Sequence, residues 1–367
     1  MSIWPDKRCG WLALQMIPGL GNTACKNLLD KFGNPEKIFQ AGISELTGIE
    51  GLRKEAANRI AHREFQIDPC EELDKVEECG AKIVTFHDPS YPAALKEIHD
   101  APILLYVKGK DLPKNVTFMG VVGSRNPSPY GVKSAQMIGQ GLGRRGLGVV
   151  SGMAKGIDAS AHWGCLAGQG FTIAILGTGI DIVYPAQNRK LADSIAVKGA
   201  LISEFPLGTP PEPKNFPIRN RVISGMSRGV IVVEATMKSG SLITAALALE
   251  QDREVFAVPG SIHSFKSTGC HFLIKQGARL IENSDDVLDE LGMNYDYSPK
   301  SDTFRKGVLP PMDESEKAIY EIIGDYPLHI DQITRQGNLG PGKAASILMR
   351  MELKGVIRQL PGKMFVR

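Results

Sequence analysis

The sequence lacks the features of membrane-inserted and exported proteins. It has no run of about 18 apolar residues that could span a bilayer, and its polar start, MSIWPDKRCGW, has no apolar signal-peptide region. The six cysteines form no C-x-x-C pair and no zinc-like spacing, so we expect neither a structural metal nor a disulfide framework, and no cofactor. Scattered thiols without an export signal favour a reducing cytoplasm and no membrane partner.

Acidic residues are missing from two stretches of the chain. Residues 112–157 include six basic residues and no Asp or Glu. Residues 214–233 include four more basic residues, again without an acid. Exposed lysines usually alternate with carboxylates, so this unbalanced positive charge favours a polyanionic partner.

Residues 115–292 alternate short apolar strands with helical stretches. The predicted strands are VTFMGVV, LGVVS, FTIAILG, ALISEF, GVIVVEA, EVFAVPG and ARLIE. This alternation predicts an α/β fold in which a parallel sheet is covered by helices on both faces. In such sheets, ligands bind beyond the carboxyl ends of the strands.

The segments that flank this core divide the chain into four predicted parts. Residues 1–86 are predicted to be mainly helical, and their glycine turns in IPGLGN and TGIEGLR are typical of helix-hairpin-helix units. The α/β core occupies residues 87–292, and a polar, proline-containing linker occupies residues 293–312. Residues 313–367 predict three helices and a two-stranded wing, a winged helix whose few polar side chains favour protein contact or weak DNA contact.

Four segments that follow the strands carry glycine, hydroxyl and basic residues, and should meet at one edge of the sheet. They contribute Gly123, Ser124 and Arg125; then Lys155; then Lys214, Phe216, Arg219, Asn220 and Arg221; and finally Ser239, Gly240 and Ser241. Glycine lets the backbone approach an anion, arginine binds phosphate through two donors, and a helix start favours negative charge. Each segment alone is a weak signal, but the four together predict an anion site with room for several phosphates.

The same region has no clear acid–base pair. Glu204 and Glu234 end predicted strands, and Glu250 lies in a helix rich in alanine and leucine. His162 is expected to be a packed core residue, and Asp158 a helix N-cap. No Ser-His-Asp order, paired metal ligands or cysteine nucleophile is present. The sequence therefore favours binding over catalysis.

These motifs resemble those of the DNA-processing protein A family, also called DprA or Smf. The resemblance rests on GVVGSRNPSPYG, SGMAKGIDASAH, AILGTGIDIVYPAQN, ISEFPLGTPPEPKNFPIRNRVISGMS, VVEATMKSGSLITAALALEQDREVFAVPG and GCHFLIKQGA, in this order across most of residues 87–292. It implies an extended Rossmann-type fold, with a sterile-alpha-motif-like helical domain before it and a winged helix after it.

The resemblance also implies a function without catalysis. Members of this family bind single-stranded DNA in a basic pocket, form homodimers and load the recombinase RecA during natural transformation. The pocket would contain Gly123, Ser124, Arg125, Lys214, Phe216, Asn220 and Arg221, while Lys155 and Ser239 to Ser241 would lie near it by the logic of the fold. The chain departs from the family pattern at Lys155, which is often Arg, and at His271, which is usually Asn.

Two other functions fit parts of the sequence. The fold class resembles that of the lysine-decarboxylase-like nucleotide phosphoribohydrolases, which carry the signature P-G-G-x-G-T-x-x-E. The corresponding stretch, TMKSGSLITAALALE, lacks the double glycine and places Glu250 too far along. A sequence-specific regulator would instead act through the winged helix, and would lose all DNA binding if residues 300–367 were deleted.

Overall fold

The computed structural model describes residues 3–293, 310–324 and 326–367. The chain forms two compact units, one of Met1–Pro127 with Val132–Gly292, and the other of Ser128–Gly131 with Met293–Arg367. The predicted linker at 293–312 lies almost entirely outside the described residues.

One large sheet organises the first unit. Its strands are β1 (Ala81–Thr85), β2 (Leu104–Gly109), β3 (Phe118–Val122), β4 (Gly148–Ser151), β5 (Thr172–Ile175), β6 (Ala200–Ser203), β7 (Gly229–Val232), β8 (Glu254–Ala257) and β9 (Arg279–Leu280). Their order across the sheet is β1-β2-β6-β5-β4-β3-β7-β8-β9. Strands β3 to β9 pair with one another in parallel, whereas β2 is antiparallel to β6 and β1 is antiparallel to β2.

Helices alternate with these strands along the chain. Those before residue 293 are α1 (Lys7–Gln15), α2 (Asn22–Phe32), α3 (Pro35–Ile38), α4 (Ile43–Leu46), α5 (Lys54–His62), α6 (Pro69–Glu78), α7 (Ala93–Lys96), α8 (Pro129–Arg144), α9 (Ile157–Ala167), α10 (Arg189–Lys198), α11 (Asn215–Gly225), α12 (Ser241–Glu250), α13 (Thr268–Lys275) and α14 (Ser284–Glu290). Helices α9, α10, α12 and α13 pack directly on strands of the sheet. The α/β class predicted from the sequence is confirmed.

The seven strands predicted from apolar runs are all present. Strands β3 to β7 are buried throughout, as strands covered on both faces should be, whereas both residues of β9 are exposed. Strand β1 was not predicted, and it follows helices α1–α6 at the end of the segment 1–86. Ile83 of β1 pairs with Tyr106 of β2 in the same sheet. The predicted limit at residue 86 therefore falls between two paired strands.

The N-terminal helices share a hydrophobic core with the sheet. Leu12 of α1 is fully buried in the same cluster as Ile195 of α10 and Leu201 of β6. Polar contacts join the same layers, since the side-chain Nε2 of Gln15 donates to the backbone carbonyl of Glu204 over 2.6 Å. Helices α1–α6 are therefore part of the large unit and not a separate body.

The second unit has the elements of a winged helix. They are α15 (Glu314–Ile322), β10 (Leu328–His329), α16 (Ile330–Gln336), α17 (Pro341–Leu353), β11 (Arg358–Leu360) and β12 (Met364–Val366), with strand order β10-β12-β11. Asp313 caps α15, because its carboxylate accepts the Glu316 backbone amide over 2.8 Å. The two wing strands were predicted, and β10 adds a third.

No helix among the described residues has both the length and the apolar character to cross a bilayer. Within the same residues, no cluster of histidine, cysteine or carboxylate side chains could hold a metal ion.

Candidate nucleic-acid interface

A cavity of about 650 Å³ opens at the carboxyl ends of β3 and β7. We call it the front cavity. Its walls come from segments after five strands: Val122, Gly123, Ser124, Arg125 and Asn126; Ala154 and Asp158; Tyr184; Pro211, Pro213, Phe216, Pro217, Arg219, Asn220 and Ile223; and Ser239, Gly240, Ser241, Ile243 and Thr244. Its position agrees with the rule that parallel sheets bind ligands at this edge.

Backbone contacts fix the first loop, after β3. A Cβ atom on Gly123 would lie 2.7 Å from Ile157 Cγ1 and 2.9 Å from the carbonyl of Glu234. The Ser124 amide donates to that same carbonyl over 2.7 Å, and the Ile157 amide donates to the Ser124 carbonyl over 3.1 Å. Only glycine fits at 123, so the loop is held between its two neighbours with little freedom.

An aromatic ring lies among cations beside the cavity. The guanidinium carbon of the exposed Arg125 is 5.2 Å from the centre of the Phe216 ring, and that of Arg219 is 6.0 Å from it. The Tyr184 ring centre lies 5.8 Å from that of Phe216. Guanidinium groups are attracted to aromatic faces, so these four side chains form one cluster that combines positive charge with flat apolar surface.

Arg219 lies beneath this cluster, where solvent does not reach. It is buried, and its Nη1 donates to the carbonyl of Ile175. Burial lowers the pKa of Arg219, the charge of Asp158 raises it and that of Arg125 lowers it, and the result of all three is a pKa of about 10. The group stays protonated near neutral pH. Its Nε has no hydrogen-bond partner among the described residues.

Asp158 does not cap α9, contrary to the expectation, because Gly156 holds the N-cap position. Its carboxylate instead accepts the amides of Gly152 and Ala154, over 3.2 and 3.4 Å. Burial raises the pKa of Asp158, and the charge of Arg219 lowers it. The carboxylate is therefore committed to holding the loop after β4.

The start of α12 forms another wall. Gly240 is the N-cap and provides no side-chain acceptor for the first amides of the helix. Ser239 folds the preceding turn, because its Oγ accepts the Thr236 amide over 3.1 Å. The buried Oγ of Ser241 has no hydrogen-bond partner within the described part of the chain. Amides without side-chain acceptors, together with the helix dipole, favour an anion at this wall.

The structure separates some predicted site residues from the front cavity. The segment expected as a third loop is helix α11, and residues two apart on a helix point to different sides. Arg219 therefore faces the cavity, whereas the buried guanidinium of Arg221 binds Glu204 and Asp100 instead. Lys155 and Lys214 are exposed and do not line the cavity; Lys214 Nζ lies 2.7 Å from Glu212 Oε2.

Sequence reasoning missed three contributors. Tyr184 and Ile243 line the cavity and are substantially exposed. Lys266 adds a cation, because its Nζ donates to the Asn126 carbonyl over 2.8 Å. The exposed aromatic before Pro185 in DIVYPAQN was a usable signal for Tyr184. Nothing local in the sequence connects Lys266 to a loop so far away in the chain.

The three glutamates considered as acid or base groups do not line the cavity. Burial raises the pKa of Glu204, whereas its partner Arg221 lowers it. Glu234 is buried, and Glu250 is exposed at the end of α12. His162 is the packed core residue that was expected, with Nδ1 at 2.7 Å from Thr172 Oγ1.

Comparisons with known proteins identify relatives over most of the chain. The family model for DNA recombination-mediator protein A matches residues 82–292, and that for the DprA winged helix domain matches residues 306–363. Protein Smf of Synechocystis is 34% identical, over 97% of this chain and 98% of its own.

Two of the solved structures that are similar to this chain carry the same name. DNA processing protein A from Streptococcus pneumoniae has a TM-score of 0.69 and 40% identity, covering 79% of this chain and 99% of its own. The protein of that name from Helicobacter pylori, described for its single-stranded DNA binding mode, has a TM-score of 0.52 and 28% identity. That match covers 59% of this chain and 99% of the Helicobacter chain.

Proposed function

The chain belongs to the DNA recombination-mediator protein A family, also called DprA or Smf, and we propose that it binds single-stranded DNA in the front cavity. The observation that carries the proposal is the guanidinium of Arg125 over the Phe216 ring, beside a glycine turn and a helix start. Single strands are held by phosphate contacts combined with stacking of bases on aromatic or guanidinium planes. The Helicobacter relative is described as a single-stranded DNA binder.

The predicted site residues take different roles in this proposal. The proposed direct contacts within the cavity are Gly123, Ser124, Arg125, Phe216, Asn220, Ser239, Gly240 and Ser241. Lys155 and Lys214 are exposed outside the lining and would meet phosphates of the same strand. Arg219 would hold the Phe216 ring in place from below. For Arg221 we propose a supporting role, because Glu204 and Asp100 already occupy its guanidinium.

A comparison of matched oligonucleotides tests this function. Fluorescence anisotropy with the full chain is expected to give tighter binding to a labelled single strand than to the same sequence as a blunt duplex. Bases in a duplex are stacked on each other, so they cannot also stack on Phe216 and Arg125. Equal affinity for both, or a preference for the duplex, would contradict the proposal.

The same proposal holds that the site binds without reacting. Asp158 is the carboxylate in the lining, and two backbone amides already engage it. Incubation with nucleoside monophosphates is therefore expected to release no ribose phosphate. Release that Glu250→Gln abolishes would favour the phosphoribohydrolase alternative instead.

A homodimer is the proposed assembly, and exposed apolar side chains indicate where two copies meet. Between β8 and α13, the side chains of Ile262 and Phe265 are 84% and 70% exposed. Phe272 and Leu280, further along the same stretch of chain, are also exposed. Large apolar side chains concentrated in one segment are typical of a protein–protein contact.

The proposed partner of the bound strand is the recombinase RecA, during homologous recombination in the cytoplasm as in natural transformation. The support is the family description as a recombination mediator. The chain is expected to increase ATP hydrolysis by RecA on a single strand already covered by a single-stranded-DNA-binding protein. No increase at any ratio of chain to RecA would contradict this part of the proposal and leave DNA binding itself unaffected.

A further inference from the structure

A second cavity, of about 430 Å³, lies at the opposite ends of the same strands. We call it the rear cavity. Phe118 begins β3, Arg228 directly precedes β7, Arg253 directly precedes β8, and all three line it. It shares no lining residue with the front cavity. The rear cavity is therefore a separate site of the same unit, within the size range of about 300–1,000 Å³ typical of ligand pockets.

Positive charge exceeds negative charge in its lining. Lys114 and Arg228 are exposed there, and they belong to the two acid-free stretches of the sequence, yet the proposed DNA site uses neither. The buried Arg253 donates from Nη2 to the Ala94 carbonyl over 2.8 Å and to Glu97 Oε2 over 2.9 Å. Glu97 is the one carboxylate among the described lining residues. Within the described lining, Glu97 thus balances the charge of Arg253, and the charges of Lys114 and Arg228 are available to a ligand.

The rest of the lining is largely apolar. Leu112, Phe118 and Met226 are all buried and provide a wall without hydrogen-bonding side chains. The Tyr91 ring is also buried, and its hydroxyl donates to the Pro102 carbonyl over 2.7 Å. The aromatic rings of the described lining, Tyr91 and Phe118, are both buried, so this cavity offers little aromatic surface on which the bases of a single strand could stack.

We propose that the rear cavity binds the C-terminal end of a partner polypeptide in which acidic residues precede an apolar last residue. The free carboxylate would accept two hydrogen bonds from the Arg228 guanidinium, which matches a carboxylate in shape and charge. The last side chain would lie against Leu112, Phe118 and Met226. Acidic residues just before it would approach Lys114. The lining thus offers cations to the charged groups of this ligand and an apolar wall to its last side chain.

Binding of a synthetic peptide to the full chain tests this site. The probe is a fluorescein-labelled peptide, Gly-Asp-Glu-Asp-Leu-Phe, with a free terminal carboxylate, followed by fluorescence anisotropy. Saturable binding is expected. Replacing the terminal carboxylate by an amide, or Arg228→Ala in the protein, should weaken it about tenfold, because a charge-assisted hydrogen bond is removed. Arg228→Lys, which keeps the charge but not the planar pair of donors, should weaken it less.

Two controls separate this site from the DNA site. Arg125→Ala should leave the affinity for the peptide unchanged, and an unlabelled single strand should not displace the peptide. Arg228→Ala should keep the urea midpoint of the parent protein, because the side chain is exposed.

Three results would overturn the proposal. The first is absence of saturable binding up to millimolar protein. The second is equal affinity of the parent and Arg228→Ala for the peptide. The third is displacement of the peptide by a single strand together with weaker DNA binding by Arg228→Ala, which would assign these cations to nucleic acid.

Discussion

Arg125 is the side chain through which the proposed function is most directly tested. Arg125→Ala should lower the affinity for single-stranded DNA and make its salt dependence shallower. Each phosphate that the protein no longer neutralises reduces the slope of log K against log salt by about 0.7 for single strands, because fewer counterions are released. Arg125→Lys should keep the slope but bind less tightly than the parent, since lysine cannot stack as a plane. The measurement is anisotropy over a series of salt concentrations.

The salt slope and the affinity together distinguish phosphate contact from stacking. A variant with unchanged affinity and unchanged slope would show that Arg125 does not contact the strand. An unchanged slope with lower affinity in Arg125→Ala would assign the side chain to stacking alone.

His162 should make folding stability depend on pH. Burial, together with the nearby charge of Arg219, lowers its pKa from 6.5 to about 3. The unfolded chain therefore takes up a proton below about pH 6.5 while the folded chain does not. The contribution of this residue to stability is fully present above that pH and declines as the pH falls towards 3, by about 2 kcal/mol between pH 7 and pH 5.

His162→Gln tests this, with the free energy of unfolding measured in urea at pH 7 and pH 5. The variant should lose less stability than the parent protein across this interval, because glutamine takes up no proton. His263→Gln, at an exposed histidine, is the matched control and should follow the parent. If His162→Gln loses as much stability between pH 7 and pH 5 as the parent and His263→Gln do, protonation of His162 is not the cause of the loss.

At the scale of elements, the loop after β3 depends on the space around Gly123. Gly123→Ala should destabilise the protein by about 1–3 kcal/mol, because the new methyl group would meet Ile157 and the Glu234 carbonyl. Gly240→Ala is the control, since nothing lies within 4 Å of a Cβ there and its φ of −62° suits any residue. Urea unfolding of both variants is the measurement. Equal stability of the two would mean that the loop relaxes at no cost.

The sequence predicted elements best where the signal is local. The parallel strands were found because each is a continuous apolar run between turns. Strand β1 was missed because its partner, β2, begins only at Leu104, and the pairing of two antiparallel strands cannot be recognised in the sequence of either strand alone. The glycine turn at 123–125 and the helix start at 239–241 were placed correctly at one edge, because parallel strands all end there.

Helix α11 shows why part of the site could not be predicted. Its first turn contains Pro217, and Arg219 and Arg221 are both buried, so it lacks the apolar periodicity of an ordinary helix. Because no apolar periodicity showed which side of the helix faces the core, Arg219 and Arg221 were both predicted to bind the ligand. The helix turns Arg219 towards the front cavity and Arg221 towards Glu204, a difference that depends on contacts distant in sequence.

At the scale of the whole molecule, we expect the first compact unit to bind single-stranded DNA without help from the second. Deletion of residues 300–367 should leave single-strand affinity within about a factor of three of the parent value, because every residue that lines the front cavity lies between Val122 and Thr244. Anisotropy with the same oligonucleotide is the measurement. Loss of all DNA binding would favour a regulator that acts through the winged helix.

The proposed homodimer can be tested at the same scale. The double variant Ile262→Asp with Phe265→Asp should sediment as a monomer where the parent sediments as a dimer, because charges at the contact would be buried without partners. Val197→Asp is the matched control, since Val197 is an apolar residue of α10 that is 68% exposed. A monomeric parent, or a double variant that still dimerises, would rule out this contact.

The core shared by α1–α6 and the sheet also has a consequence for the order in which the chain is made. Leu12 packs in one cluster with Ile195 and Leu201, yet ribosomes release the first residues long before these two. At about 5–20 residues per second, the nascent helices would wait on the order of ten seconds for their partners. During synthesis, the N-terminal helices therefore expose apolar surface that is later covered by α10 and β6.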